Sequence, residues 1–143
     1  MRRAHVIPIA FLIAVAFSAQ AFSQQLEQRN ADEARAFRSQ GLEDYNAGRL
    51  EEAVTKFKQA IRLKPGYAQA HNDLGGAAIA LNRHGEAVEH LRHAIVLNPH
   101  FAEAYYNLGT AFYKMGRLAD AIVELKTRFA FSPTIHGRST TWA

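Results

Sequence analysis

Cysteine is absent from this 143-residue sequence. A chain without cysteine has no disulfide scaffold, no cysteine-type zinc site and no thiol nucleophile. The hydrophobic content of 48% argues against complete disorder, and the length suggests one domain that is too short for a large enzyme. The sequence therefore indicates a small fold that depends on packing alone.

The central part of the chain lacks an excess of charge of either sign. The formal net charge is +4, yet residues 22–127 contain 13 basic and 13 acidic side chains. The excess comes from Arg2 and Arg3 near one end and from Arg128 and Arg138 near the other. Because nucleic-acid binders usually have a basic stripe on their folded part, we expect no nucleic-acid partner.

One apolar run stands near the N-terminus. It extends from Val6 to Phe17, is preceded by Arg2 and Arg3, and is followed by Ala-Gln-Ala at residues 19–21. A basic start, an apolar run and small residues at a cleavage position are typical of a secretory signal peptide, which we predict at residues 1–21. The expected location is therefore outside the cytoplasm, in the bacterial periplasm or secreted.

The same run bears on membrane insertion. It is shorter than the roughly 20 residues that a helix needs to span a bilayer. We therefore expect no stable membrane insertion after the signal peptide is cleaved. An uncleaved N-terminal anchor is the alternative.

The remainder of the chain repeats at an interval of 34 residues. Glycine, alanine, proline and large apolar residues recur at this spacing: Gly41, Gly75 and Gly109; Ala53, Ala87 and Ala121; Pro65, Pro99 and Pro133; Phe57, Leu91 and Leu125. Gly48, Asn82 and Gly116 share a further column, and these residue types suit a turn with positive φ. Each unit therefore predicts a helix, a turn, a second helix and a proline stop.

This pattern resembles the tetratricopeptide repeat over about residues 34–133. The segments that carry the resemblance are EEAVTKFKQAIRLKP, GEAVEHLRHAIVLNP and AYYNLGTAFYKMGRLADAIVEL. The resemblance implies an all-α fold, a right-handed α-solenoid of about three helix-turn-helix units. The expected repeats are 34–67, 68–101 and 102–133, the last with a degenerate C-terminal part, and residues 22–33 are a polar lead-in or an extension of the first helix.

The repeated glycines also predict a packing contact. Gly41, Gly75 and Gly109 fall inside helices, where glycine costs about 1 kcal/mol relative to alanine. A cost that recurs three times indicates a close approach of two helices. We expect the alanine column at residues 53, 87 and 121 to face these glycines.

The repeat pattern breaks after Thr127. Arg128 stands where a small residue is expected, and residues 134–143 show no helical period. One hypothesis is a shifted reading frame, because a two-base shift permits codons that restore the repeat. A degenerate terminal cap is the alternative. An out-of-frame tail would expose Phe129, Phe131 and Trp142 and would favour marginal stability, dimerisation or aggregation.

Histidine is the one residue type that suggests a metal site. Glu86, His90 and His93 lie at i, i+4 and i+7 on one helix, and both residue types bind zinc or nickel. A solvated polar face on an outward helix is the alternative. The sequence contains no nucleophile elbow and no phosphate-binding loop, so we expect neither enzymatic activity nor a cofactor.

The resemblance implies a concave groove lined by the first helix of each repeat. The groove residues expected from the family columns are Arg35, Arg38, Leu42, Tyr45, Asn46, Gln69, Asn72, Gly76, Ile79, Ala80, Glu103, Tyr106, Thr110, Tyr113 and Lys114. Tyrosine and arginine are enriched in binding hot spots, and the Asn72 amide could pair with a peptide backbone. Alternatively, the tyrosines pack between helices and the arginine and asparagine side chains are merely solvated.

Some members of the family hold the C-terminal carboxylate of a peptide with asparagine and basic residues. Here Glu103 and Asn107 stand where basic residues would be expected, so this clamp is incomplete. The leading interpretation is an exported, non-catalytic scaffold that binds a peptide or helix of a partner protein. The alternatives are a fragment of a longer repeat protein that has a structural or self-associating role, and a metal site on the helix histidines.

Overall fold

A computed structural model describes residues 8–131, and all regular secondary structure in this range is α-helical. The six helices are α1 (Ile9–Asn46), α2 (Leu50–Leu63), α3 (Ala68–Ala80), α4 (His84–Leu97), α5 (Ala102–Lys114) and α6 (Leu118–Phe131). They form the pairs α1/α2, α3/α4 and α5/α6, which stack in chain order as a solenoid. The predicted all-α solenoid is confirmed. The expected basic start of the signal peptide, the irregular tail at 134–143 and Trp142 lie outside the described residues.

The turns within the pairs follow the predicted column. Gly48, Asn82 and Gly116 have φ values of 77°, 58° and 75°, so all three adopt the left-handed conformation. Glycine reaches this region without steric cost, and asparagine is one of the few other residues that visit it. The tight turns place the second helix of each pair against the first.

The core lies between the two helices of each pair and between successive pairs. Ala53 and Phe57 of α2 are fully buried, as are Ala87 and Leu91 of α4. These side chains pack with apolar residues of α3 and α5, such as Leu74 and Leu108. Because each pair covers the next, the apolar stripes form a core that continues along the solenoid.

The atoms nearest to the helix glycines belong mainly to large side chains, whereas the sequence predicts the alanine column there. A Cβ atom added at Gly41 would lie 2.6 Å from Phe57, and one added at Gly75 would lie 2.5 Å from Leu91. Gly41 and Gly75 make room for the large side chains of the second helix. At Gly109 the added atom would meet Leu125 at 2.9 Å and the backbone oxygen of Ala121 at 3.2 Å.

Helix α1 continues without a break from the apolar run through residues 22–33 into the first repeat. An 18-residue window of this helix has a mean hydropathy of 1.4 and none of it is buried. By length and composition α1 could therefore cross a membrane, and signal sequences meet the same criterion. The helix that contains the apolar run is 38 residues long.

Helix α6 ends the described solenoid with an uncovered apolar face. Ile122 is 52% exposed, whereas Val54 occupies the same column of the first repeat and is 5% exposed. Phe129 is exposed as predicted, although Ile61 and Ile95 in its column pack against the core. The difference arises because α3 covers α2 and α5 covers α4, while no described helix covers this side of α6.

Candidate functional site

A cavity of about 240 Å³ opens between α1, α3 and α5. Its lining residues are Leu42, Tyr45, Asn46, Phe57, Asn72, Asp73, Gly76, Glu103 and Asn107. Six of them belong to the predicted groove columns. The first helices of all three repeats therefore contribute to one concave site, as the family columns imply.

A chain of hydrogen bonds crosses the floor of this cavity from α5 to α3 and back. The Asn107 amide donates to Asn72 Oδ1 at 2.9 Å, and Asn72 Nδ2 donates to Glu103 Oε1 at 3.1 Å. Asn72 is only 2% exposed. Both ends of its amide are used within the protein, so the expectation that Asn72 pairs with a peptide backbone is not supported by this geometry.

The two predicted groove arginines are each engaged by a carboxylate. Arg38 Nε donates to Asp73 Oδ2 at 2.5 Å, which joins α1 to α3. Burial raises the pKa of Asp73, the ion pair with Arg38 opposes that rise, and the negative charge of Glu103 adds to it. Arg35 pairs with Asp32 on its own helix. Neither arginine is therefore a free cation.

The predicted tyrosines lie on the surface and do not pack fully between helices. Tyr45, Tyr106 and Tyr113 are 37%, 46% and 62% exposed. The Arg128 guanidinium lies 4.9 Å from the centre of the Tyr106 ring. Tyr45 lines the cavity, whereas Tyr106 and Tyr113 are on α5 outside its lining.

The remaining predicted groove residues lie outside the cavity lining. Gln69, Ile79 and Ala80 are on α3, and Lys114 is the last residue of α5. Thr110 donates a hydrogen bond to the backbone oxygen of Tyr106 at 2.9 Å. The structure thus brings six of the predicted groove residues together in the cavity and leaves the others outside its lining.

Three cavity residues were missing from the predicted groove, namely Phe57 of α2, Asp73 and Asn107. Asp73 and Asn107 occupy the same column in successive repeats, directly after the columns of Asn72 and Tyr106. The recurrence of a polar side chain beside the predicted columns was the available signal. Their role depends on contacts between helices, which the columns alone do not specify.

The helix histidines form a cluster with a third histidine from α3. His71 Nε2 donates to the backbone oxygen of Pro65 at 3.0 Å, and the Nδ1 atoms of His71 and His90 are 3.3 Å apart. Since His71 already carries its proton on Nε2, His90 donates to the unprotonated Nδ1 of neutral His71. The His93 ring stacks on His71 at 5.4 Å between centres.

This arrangement changes the interpretation of His90, whereas His93 is exposed. His90 is half-buried against His71 and is not part of a solvated face. Glu86 pairs with Lys58 at 2.7 Å, and this ion pair lowers the pKa of Glu86. Within residues 8–131, no three histidine, aspartate or glutamate side chains are placed to hold a metal ion.

The stacked helix pairs and their concave cavity define a helical-repeat solenoid. The TPR repeat model matches residues 41–78 and 77–116, more than half of the sequence, and the chain belongs to this family. A search of curated proteins found no match.

Solved structures share the fold. The first TPR of Spaghetti (RPAP3), bound to the HSP90 peptide SRMEEVD, superposes with a TM-score of 0.71 at 18% identity, over 73% of this chain and 82% of that one. The Arabidopsis OM64 TPR domain gives 0.71 at 20% identity, over 73% and 86%. MamA gives 0.67 at 24% identity, over 71% of this chain and 59% of MamA.

Proposed function

We propose that this chain is a non-catalytic protein-interaction module, which holds an extended peptide of a partner protein in the cavity between α1, α3 and α5. The observation that carries the proposal is one concave site built from three successive first helices, with a polar floor and an exposed tyrosine at its wall. Such clefts at the junction of packed helices are the usual place for a ligand.

Two further observations support a peptide over a small metabolite. Exposed tyrosines continue from the cavity along α5, so the polar and aromatic surface is longer than the cavity itself. Tyr side chains give large contact areas at a low entropic cost. A structure of the same fold, the first TPR of Spaghetti, holds a peptide.

The test is peptide binding to tyrosine variants. Peptides selected from a random dodecamer library on the full chain are labelled, and their affinities are measured by fluorescence anisotropy. Tyr45→Ala and Tyr106→Ala should each weaken binding by about 1–2 kcal/mol, the size of a hot-spot contact. Val96→Ala is the control, because Val96 is exposed on α4 away from the groove. Unchanged affinity in both tyrosine variants would remove the groove assignment.

We further propose that the chain is exported through residues 1–21. The apolar, unburied first half of α1 supports this proposal because nothing in the described fold covers it. Expression in a bacterium should yield a periplasmic product whose mass corresponds to cleavage after Ala21. A full-length product in the membrane fraction would indicate an uncleaved anchor.

Self-association is a second candidate function, and the uncovered face of α6 favours it. In the first two repeats the residues at the same positions pack against the next helix, so this face is normally buried against apolar side chains. We propose that a second copy of the chain supplies it through its own α6. Sedimentation should show a dimer that Ile122→Glu dissociates and that Val96→Glu leaves intact. A monomer at all concentrations would contradict this.

A further inference from the structure

We propose that the cavity between α1, α3 and α5 selects a peptide with a lysine or arginine side chain, which places its cationic head against Glu103. This inference rests on the proposed function, since it specifies the ligand of the same groove. It follows from the balance of charge in the cavity, from the shape and chemistry of its walls, and from the repulsion between its two carboxylates.

The cavity has two carboxylates, of which the exposed Glu103 has no paired cation among the described residues. Asp73 and Glu103 line it, and Arg38 is committed to Asp73 at 2.5 Å. Among the ion pairs of residues 8–131, none joins Glu103 to a lysine or arginine. Glu103 accepts only a neutral amide hydrogen bond, from Asn72 at 3.1 Å. A ligand cation would supply the missing opposite charge.

The walls suit the stem of a long basic side chain. Leu42 offers an apolar surface, and the exposed ring of Tyr45 lines the same cavity. Lysine and arginine bury their methylene stems along such surfaces while the charged head remains near polar groups. An aromatic face also attracts a cation directly. The combination of aliphatic wall, aromatic ring and free carboxylate therefore fits a basic side chain better than an apolar one.

Repulsion between the two carboxylates supports the same assignment. Burial is the main cause of the raised pKa of Asp73, and the negative charge of Glu103 adds to it. A bound cation would relieve this repulsion. An acidic peptide would add a third negative charge, so the cavity selects against acidic ligands as well as for basic ones.

The experiment compares glutamate variants against peptides from the random dodecamer library, selected on the full chain. Glu103→Gln removes the charge but keeps an oxygen that accepts the Asn72 hydrogen bond, so the cavity floor is retained. Glu89→Gln is the matched control, because Glu89 is an exposed glutamate on α4. Thermal melts followed by circular dichroism verify that both variants fold.

We expect lysine or arginine to be enriched in the selected peptides. Their affinity should fall about fivefold with Glu103→Gln, the effect of an exposed charge pair, and should not change with Glu89→Gln. Raising the salt concentration should weaken binding to the native chain more than binding to Glu103→Gln.

Two results would overturn the inference, and they differ in their meaning for the proposed function. Peptides that need Tyr45 or Tyr106 but carry no basic residue, or that ignore Glu103→Gln, would reject the cationic ligand while the groove function stands. If no selected peptide depends on Tyr45, Tyr106 or Glu103, both the ligand class and the groove function fail.

Discussion

Gly75 of α3 faces α4, and a methyl group there would meet Leu91 at 2.5 Å. We predict that Gly75→Ala lowers the free energy of unfolding by about 1–3 kcal/mol, because the buried Leu91 must shift within a packed core. The adjacent Gly76 is the control, since a methyl group there meets nothing within 4 Å. Gly76→Ala should raise stability by up to about 1 kcal/mol through helix propensity. Urea unfolding distinguishes the two, and equal effects would contradict the packing argument.

The histidine cluster makes stability depend on pH. Burial, foremost, lowers the pKa of His71 and of His90 below their ordinary value of 6.5, and the positive charges of neighbouring histidines act in the same direction. The unfolded chain therefore binds more protons than the folded chain below about pH 6.5. Stability should be fully present above that pH and should decrease as the pH falls through the lower folded values.

Urea unfolding between pH 7.5 and pH 5 tests this dependence. Lys58 and Glu86 are charged groups near the cluster. Their ion pair is not altered by the His71 substitution described next. His71→Phe places in the second repeat the residue that Phe37 provides in the first, and it should flatten the pH dependence. An equally steep loss of stability in this variant would assign the effect to other groups.

At the scale of an element, Asn82 sets the turn between α3 and α4 with a φ of 58°. A left-handed conformation costs a residue with a β-carbon about 1–2 kcal/mol, which asparagine reduces by local hydrogen bonding. We predict that Asn82→Ala lowers the midpoint of thermal unfolding, whereas Asn82→Gly, the residue type of the other two turns, leaves it unchanged or raises it. Two variants with the same midpoint would refute this account of the turn.

The helices and turns could be predicted from sequence because their signals are local. Positive φ at Asn82 follows from its column, and the proline stops follow from residue type. Contacts between helices were harder to predict. The sequence placed Gly75 in a close contact but gave alanine as its neighbour, because the relative rotation of α3 and α4 decides that Leu91 points toward it.

The site illustrates the same limit. The family columns named Asn72 and Glu103 as groove residues, yet not the hydrogen bond that joins them. His71 and His90 are 19 residues apart, and their contact depends on how two helices are aligned. Periodicity identifies the face of a helix on which a residue lies, and only the packing identifies its partner.

At the scale of the whole molecule, the helices of the solenoid differ in how many of their sides are packed against other helices. Each helix pair contacts only its neighbours, so local stability depends on how many sides are packed. α4 is covered by α3 and α5, whereas α6 has an open apolar face. We predict that backbone amides of α6 exchange with deuterium faster than those of α4, as measured by mass spectrometry. Equal protection would show that something covers α6 in solution.

The two junctions between successive first helices differ in the kind of bond that spans them. Arg38 and Asp73 join α1 to α3 through opposite charges, while the amides of Asn72 and Asn107 join α3 to α5 without a charge pair. The Arg38–Asp73 pair is a direct and largely buried contact, so dissolved ions screen it little. Burial raises the pKa of Asp73, so acid protonates this carboxylate and weakens the first junction, while the hydrogen bond between the two amides at the second junction carries no titrating group.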